Sequence, residues 1–290
     1  CIRDRIYGAE HPYVTKGDPT PKTLSKFGMD DSHAFGKKHY SAKSATLIVA
    51  GNFDPAKAKS IIKDSFGEWS GGHKNQPVPL ASKKLGKQYI GVVGKEGMSQ
   101  MQITMAFPSP AGIDEQYAER LILSEMMSLR MGKVRSELGS TYGVRAGLRT
   151  RVGPGYYSVG GAVDSARAGE SLKFMRDKLQ ELRDGVDFNK YFVTARQKML
   201  KVLLAESTES YSLAGRLSQI ARYKLKPAHI DNLARKVASM TPGQVKAVMA
   251  VDLDPANEII VNMADRPTLE ASFVEAGLEN FRIVDPAIKK

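Results

Sequence analysis

Apolar residues recur along this chain in two rhythms, one helical and one alternating, and the switches between them predict its elements. From 114 to 138, "DEQYAERLILSEMMSLRMGKVRSEL" carries apolar residues at helical spacing. Acidic residues fill its first turn and basic ones come late, as the helix dipole favours. Gly139 stands where this helix should end, because glycine readily takes the left-handed conformation that closes helices. Upstream, "SQMQITMAFPSP" alternates: Met101, Ile103 and Met105 share one face, with Gln100, Gln102 and Thr104 on the other. "YIGVVG" (89–94) predicts a strand before it, and "TYGVRAGLRTRV" and "GYYSVGGAVD", joined by "GPG", predict a hairpin. Helical periodicity then covers 165–184, 187–206, 208–225 and 228–250. The last is interrupted by Thr241 and Pro242, a cap followed by a first-turn proline. A final apolar run, "EIIVNM", and a helical stretch complete the order β–β–α–β–β–α–α–α–α–β–α. That order predicts the α+β class, with an antiparallel-rich sheet flanked by helices.

Two segments repeat one pattern. "HYSAKSATLIVAGNFDPAKAKSIIKDSFGEW" (39–69) and "VDLDPANEIIVNMADRPTLEASFVEAGLENF" (251–281) each read as a helix end, a buried strand, a polar turn and a helix. About 160 residues precede the second copy from Tyr89 onward, but only about 45 precede the first. If the halves are duplicates, 1–75 is the C-terminal part of a first domain and 89–290 is a second, complete one. Between them 70–87 is rich in Gly, Pro and Lys without periodicity, which places a linker at 76–88.

Composition narrows the function. The length of 290 residues accommodates two domains of ordinary size. No stretch approaches the roughly 18 to 20 apolar residues a membrane span needs. The single cysteine, Cys1, excludes an internal disulfide and a cysteine-based zinc cluster. A formal net charge of +12 favours acidic partners. In "RAGLRTR" the arginines Arg145, Arg149 and Arg151 alternate onto one strand face, but no nucleic-acid motif accompanies them, so no nucleic-acid partner is expected. They could equally line an interface, or a chamber that favours acidic peptides.

The histidines His11, His33, His39, His73 and His229 form no His-x-x-Glu-His pattern, which would set two imidazoles and a carboxylate base on one helix. A Gly-x-Ser-x-Gly elbow and a phosphate loop are also absent. What remains is "VRSELGSTYGV" (134–144), with Arg135 on the last helical turn and Tyr142 seven positions later, just inside the following strand. Folded back beside each other, a guanidinium and a phenol would offer donors suited to a peptide carbonyl or a developing oxyanion. An exposed arginine and a core tyrosine would be the structural alternative.

The same stretch resembles the Leu-Arg-x-x-x-Gly-x-x-Tyr-x-Val segment of the pitrilysin/insulinase family of zinc peptidases, which includes the mitochondrial processing peptidases. Further matches run in the family's order: "EHPY", "FGKKHYSAKSATLIVAGNFD", "GYYSVGGAVD", "ELRDGVDFNKYFVTARQKM", "ESTESYSLAGRLSQI" and "MTPGQVKAVMAVDLDPANEIIVNMAD". The resemblance implies tandem homologous α+β domains, the first of them partial, and the arginine/tyrosine-bearing half that lies opposite the zinc. It implies that Arg135 and Tyr142 contact peptide substrate near the scissile bond. It also implies no metal in this chain, zinc in a homologous partner subunit or domain, and no activity for the chain alone. Two departures stand out. The zinc motif would lie upstream of Cys1, and "SEMMSLRMGKVR" lacks the paired glycines often found before the arginine. A catalytically dead scaffold of the same fold is the other reading the resemblance offers. Exported bacterial relatives make the periplasm the expected compartment.

Overall fold

The computed structural model describes residues 2–8, 11–14, 21–72 and 86–285. In chain order its elements begin with α1 (Ile2–Tyr7), α2 (Pro21–Leu24), α3 (Met29–His39) and α4 (Pro55–Phe66). Next come β1 (Gln88–Val93), β2 (Gln100–Ala111), α5 (Tyr117–Lys133), β3 (Arg145–Arg149) and β4 (Pro154–Asp164). The helices α6 (Ala168–Arg183), α7 (Phe188–Thr208), α8 (Ser210–Tyr223), α9 (His229–Ser239) and α10 (Pro242–Asp252) follow. The chain then forms β5 (Ile259–Ala264), α11 (Arg266–Glu275) and β6 (Arg282–Val284). Most of the expected linker, 76–85, lies outside the described residues, as do Cys1 and His73.

Two compact units divide the chain. The first comprises Cys1–Val14, Leu80–Leu203 and Ile230–Lys290; the second comprises Thr15–Pro79 and Leu204–His229.

The first unit is an α+β layer structure. Its six strands lie in the order β3-β4-β2-β5-β1-β6. β2 runs antiparallel to β4 and β5, and β3 antiparallel to β4, while β1 is parallel to both β5 and β6. The alternation read in β2 is realised: Met101, Ile103, Met105 and Phe107 are wholly buried. They meet Ile122, Leu123, Met126 and Met127 of α5 and Leu172, Met175 and Leu179 of α6, all equally buried. At Pro242 a new helix starts, and Gln244 accepts the Thr241 N–H at 2.8 Å to close its first turn. β6 follows a helical stretch in which no strand is predicted; it is three residues long and too short to show a period.

A buried ionic group ties the helices to the sheet. Arg120 of α5 donates to Asp252 of α10 at 2.8 Å, and the Tyr157 hydroxyl of β4 donates to the same carboxylate oxygen at 2.9 Å. Arg120 also pairs with Asp114 in the turn before α5. Burial pushes the Tyr157 phenol well above its ordinary range, and the adjacent carboxylate adds to that effect. Tyr157 is therefore a neutral donor.

Among the described residues of this unit, α1 covers one end of the opposite face of the sheet. Ile6 and Tyr7 of α1 pack there with Ala106, Tyr156 and Ile259. The Tyr7 hydroxyl donates to the Pro154 carbonyl at 2.9 Å, and burial pushes its pKa up to about 12.

In the second unit the expected strand "TLIVAG" does not form. Residues 45–50 carry no regular structure, and Leu47 and Val49 are 56% and 43% exposed. A strand needs a neighbour for its backbone groups, and among the described residues this unit contains none. The flanking helices form as read. Asp54 caps α4 by accepting from the Ala56 and Lys57 amides, and Pro55 occupies its first turn.

The ionic group yields a stability test. Asp252→Ala leaves the Arg120 charge buried and short of its partner, with an expected loss of about 3–5 kcal/mol in denaturant unfolding. Replacing both ends together, Arg120→Met with Asp252→Leu, should recover most of that loss. A double variant as unstable as the single one would contradict this account.

Candidate functional site

The residues singled out at 134–144 begin where α5 ends. Val134 is buried, and from it to Leu138 the helix widens into a π-helical turn. Gly139 closes the turn at φ 66°, donating to the Arg135 carbonyl at 3.1 Å. π-turns are rare and concentrate at functional sites. The conformation of Gly139 is one that a Cβ would strain.

Beyond it the chain is pinned on several sides. The Arg167 guanidinium donates to the Leu138 carbonyl and is itself held by Glu170 at 2.7 and 2.9 Å. The buried Ser140 and Ser171 hydroxyls lie 2.7 Å apart, and the Asp164 amide donates to the Ser140 carbonyl at 2.8 Å. Thr141 Oγ1 donates to the Ala162 carbonyl at 2.6 Å and accepts from the Gly143 amide at 3.0 Å. That last bond bends the chain, so β3 starts only at Arg145 and Tyr142 sits in the turn, not in the strand where the pattern put it.

Tyr142 is 86% exposed, which sets aside the core-tyrosine alternative. The Arg135 guanidinium carbon lies 4.9 Å from the centre of its ring. The two residues therefore meet as predicted, but stacked as cation on π-face, a contact worth about 0.5–1 kcal/mol at an exposed position. Among the described residues neither the Arg135 N–H groups nor the Tyr142 hydroxyl has a hydrogen bond or ion pair. The pair presents a charged fork and a neutral hydroxyl on a small, rigid platform.

The residues that build the platform were not legible as a set. Gly139 was expected; Ala162 comes from β4, Arg167 from the short turn after it and Ser171 from α6, and only the tertiary fold brings them here. Ser140 and Thr141 offered a faint signal, since hydroxyl side chains after a helix-ending glycine often bond to nearby backbone.

The described histidines take no part. His11 is buried and stacks on Tyr7 at 4.8 Å, and His33 and His39 both lie on α3. Burial lowers the pKa of His229, and the nearby Arg216 lowers it further. Among the described residues no three His, Cys, Asp or Glu side chains come together to hold a metal ion, so these residues do not fit a zinc site. Nor is any described helix long and apolar enough to cross a membrane.

With the geometry in place, comparison defines the class. A family model described as the peptidase M16 inactive domain matches residues 26–198. The chain belongs to this family, in which the inactive domain is a non-catalytic half of the peptidase. It is similar to an uncharacterized zinc protease of Streptomyces coelicolor, with 22% identity over 240 residues, 79% of this chain and 52% of that protein. An uncharacterized zinc protease of Rickettsia felis is likewise 22% identical over 225 residues, 72% of this chain and 52% of its own. The chain thus spans about half the length of the curated relatives it matches. A crystal structure of a peptidase M16 inactive domain from Pseudomonas fluorescens has the same fold, with TM-score 0.79 and 20% identity over 90% of this chain and 63% of that one.

One close approach tests the platform. A Cβ on Gly161 of β4 would lie 2.5 Å from the Gly143 carbonyl oxygen. Gly161→Ala should therefore push the 141–144 turn away from β4, giving raised hydrogen exchange at Thr141–Val144 with the rest of the sheet still protected. Unchanged protection in that turn would count against the pinning described here.

Proposed function

We propose that this chain is the substrate-holding, non-catalytic half of a two-part zinc metallopeptidase. It would face a zinc-bearing homologous partner, a subunit or a domain, and grip peptide near the scissile bond. The observation that supports this reading most directly is the Arg135–Tyr142 pair: exposed, stacked at 4.9 Å and mounted on a pinned turn. Family membership and the zinc-protease names of its relatives supply the partner and the metal.

The division of labour follows from what each side chain offers. The metal centre of the partner supplies the hydrolytic chemistry. On this side, the Arg135 N–H groups and the Tyr142 O–H are hydrogen-bond donors for the carbonyl oxygen of the bound peptide. Donors aimed at that oxygen gain strength as negative charge develops on it. Their fixed position matters, because a donor already in place costs no reorganisation during the reaction. The pinned turn supplies that fixity, and stacking on Tyr142 orients the Arg135 fork.

Two measurements follow. In a peptide-cleavage assay with the zinc-bearing partner, Tyr142→Phe should lower turnover by roughly 100- to 1000-fold with assembly intact, the usual loss for one such donor. Arg135→Lys should not restore function, because an ammonium cannot reproduce the planar fork, and Arg135 variants should lose more than Tyr142→Phe. Unchanged turnover in fully assembled variants would reduce the pair to a surface contact. Separately, purified chain treated with chelator and reloaded with zinc should retain well under one equivalent. One tightly held zinc per chain would overturn the assignment of the metal to the partner.

A further inference from the structure

We infer that the outer face of the edge strand β3, which follows the Tyr142 turn in the chain, is a shelf that selects acidic side chains in an extended peptide, read by Arg145 and Arg149. The inference rests on the peptide-holding reading above and adds to it a substrate class.

The strand pairing defines the shelf. Ala146 and Leu148 of β3 pack against the main core, so Arg145, Gly147 and Arg149 point to the other face. Across the sheet Arg145 is level with Gly160 and Thr104, and Gly147 with Ser158 and Ala106. These residues are small, so the surface beside Arg145 is low and flat, whereas Arg149 is level with Tyr156 at the end where α1 packs. α1 covers only the end of this face at Ala106, Tyr156 and Ile259. Toward the other end Gln102 is exposed and Met263 is 42% exposed. The shelf lies directly downstream of the Tyr142 turn, since β3 starts three residues later.

Charge decides what the shelf takes. Five arginines of this unit are matched by carboxylates: Arg120 by Asp252, Arg130 by Glu181, Arg167 by Glu170, Arg176 by Glu258 and Arg266 by Asp285; Arg183 and Arg196 donate instead to the Leu253 and Met240 carbonyls. Arg145 and Arg149 are exposed and, among the described residues, have no carboxylate partner; Arg149 has only the Ser158 hydroxyl at 3.4 Å. Arg135 is likewise without one, and Arg151 beside them lies over the Tyr13 ring. Several unmatched cations along one strand, with no exposed aromatic on its described face, suit carboxylates on an extended chain better than stacked bases. Arg145 and Arg149 stand about 13 Å apart along β3, the span of four residues of a peptide lying parallel to it.

The test uses two fluorescein-labelled peptides of one sequence, with Glu or with Gln at alternate positions, titrated with this chain and followed by anisotropy. The Glu peptide should bind more tightly, by roughly two- to fivefold for each arginine engaged. R145Q/R149Q should erase that difference while leaving the Gln peptide unaffected. R145K/R149K, which keeps the charges, should retain it, and high salt should collapse it. The charge-keeping variant and the salt series decide the matter even if R145Q/R149Q fails to fold. Three results would overturn the inference: a preference that survives R145Q/R149Q, the absence of Glu-peptide binding, or tighter arginine-dependent binding of a single-stranded oligonucleotide of equal charge. Self-association of R145Q/R149Q with the preference intact would also overturn it, because the arginines would then only guard an edge strand. Failure of the peptide-holding reading is seen elsewhere, in unchanged turnover of Arg135 and Tyr142 variants, so the two ideas fall separately.

Discussion

A guanidinium taken out of water must keep its carboxylate, and this fold hangs on that requirement at Arg120. The pair with Asp252, completed by Tyr157, joins α5, α10 and β4 at a depth where an unpaired charge would cost several kcal/mol. It sets the depth of the first turns of α5 against the sheet. Ten residues later a second buried arginine, Arg130, donates to Glu181 at 2.7 Å and to the Val186 carbonyl, and lies over the Tyr191 ring. The two contacts hold α5 near each of its ends. Arg135 lies within five residues of the second contact, which is why a side chain at a helix end can be aimed.

The platform beyond α5 uses a different economy of forces. Its bonds are mostly neutral ones between hydroxyls and backbone, each worth about 1 kcal/mol net, and they act through number and direction. Gly139 lets the chain reverse, Thr141 turns it again, and Gly161 allows β4 to approach the turn closely. Only after these constraints are met does Tyr142 stand out from the surface. Its exposure follows from the burial of its neighbours Thr141 and Val144.

How much of this was legible depended on whether the signal was local. Helices and strands with one buried face announced themselves by period: β2 through Met101, Ile103 and Met105, α5 through its apolar stripe and Gly139. The Arg135–Tyr142 spacing brought these two side chains together, although their contact geometry and the late start of β3 depend on Thr141 and Ala162. "TLIVAG" misled because composition alone cannot supply a neighbouring strand; apolar β-branched residues make a strand possible, and pairing makes it real. The packing of Tyr7 against Tyr156 left no sequence trace, because contacts between residues so far apart have no period.

The parallel pairing of β1 has a consequence in time. Both its neighbours, β5 and β6, lie downstream of residue 258, whereas β2, β3 and β4 pair among themselves within 100–164. A ribosome adding 5–20 residues each second would expose β1 roughly 10–30 s before its partners exist. For that interval "YIGVVG" is an apolar ribbon with two unsatisfied edges in a crowded cell, while the antiparallel half of the sheet can already assemble. The charged and glycine-rich residues around it, Lys87 before and Gly94-Lys95-Glu96 after, are the kind that keep such a ribbon from pairing with the wrong chain.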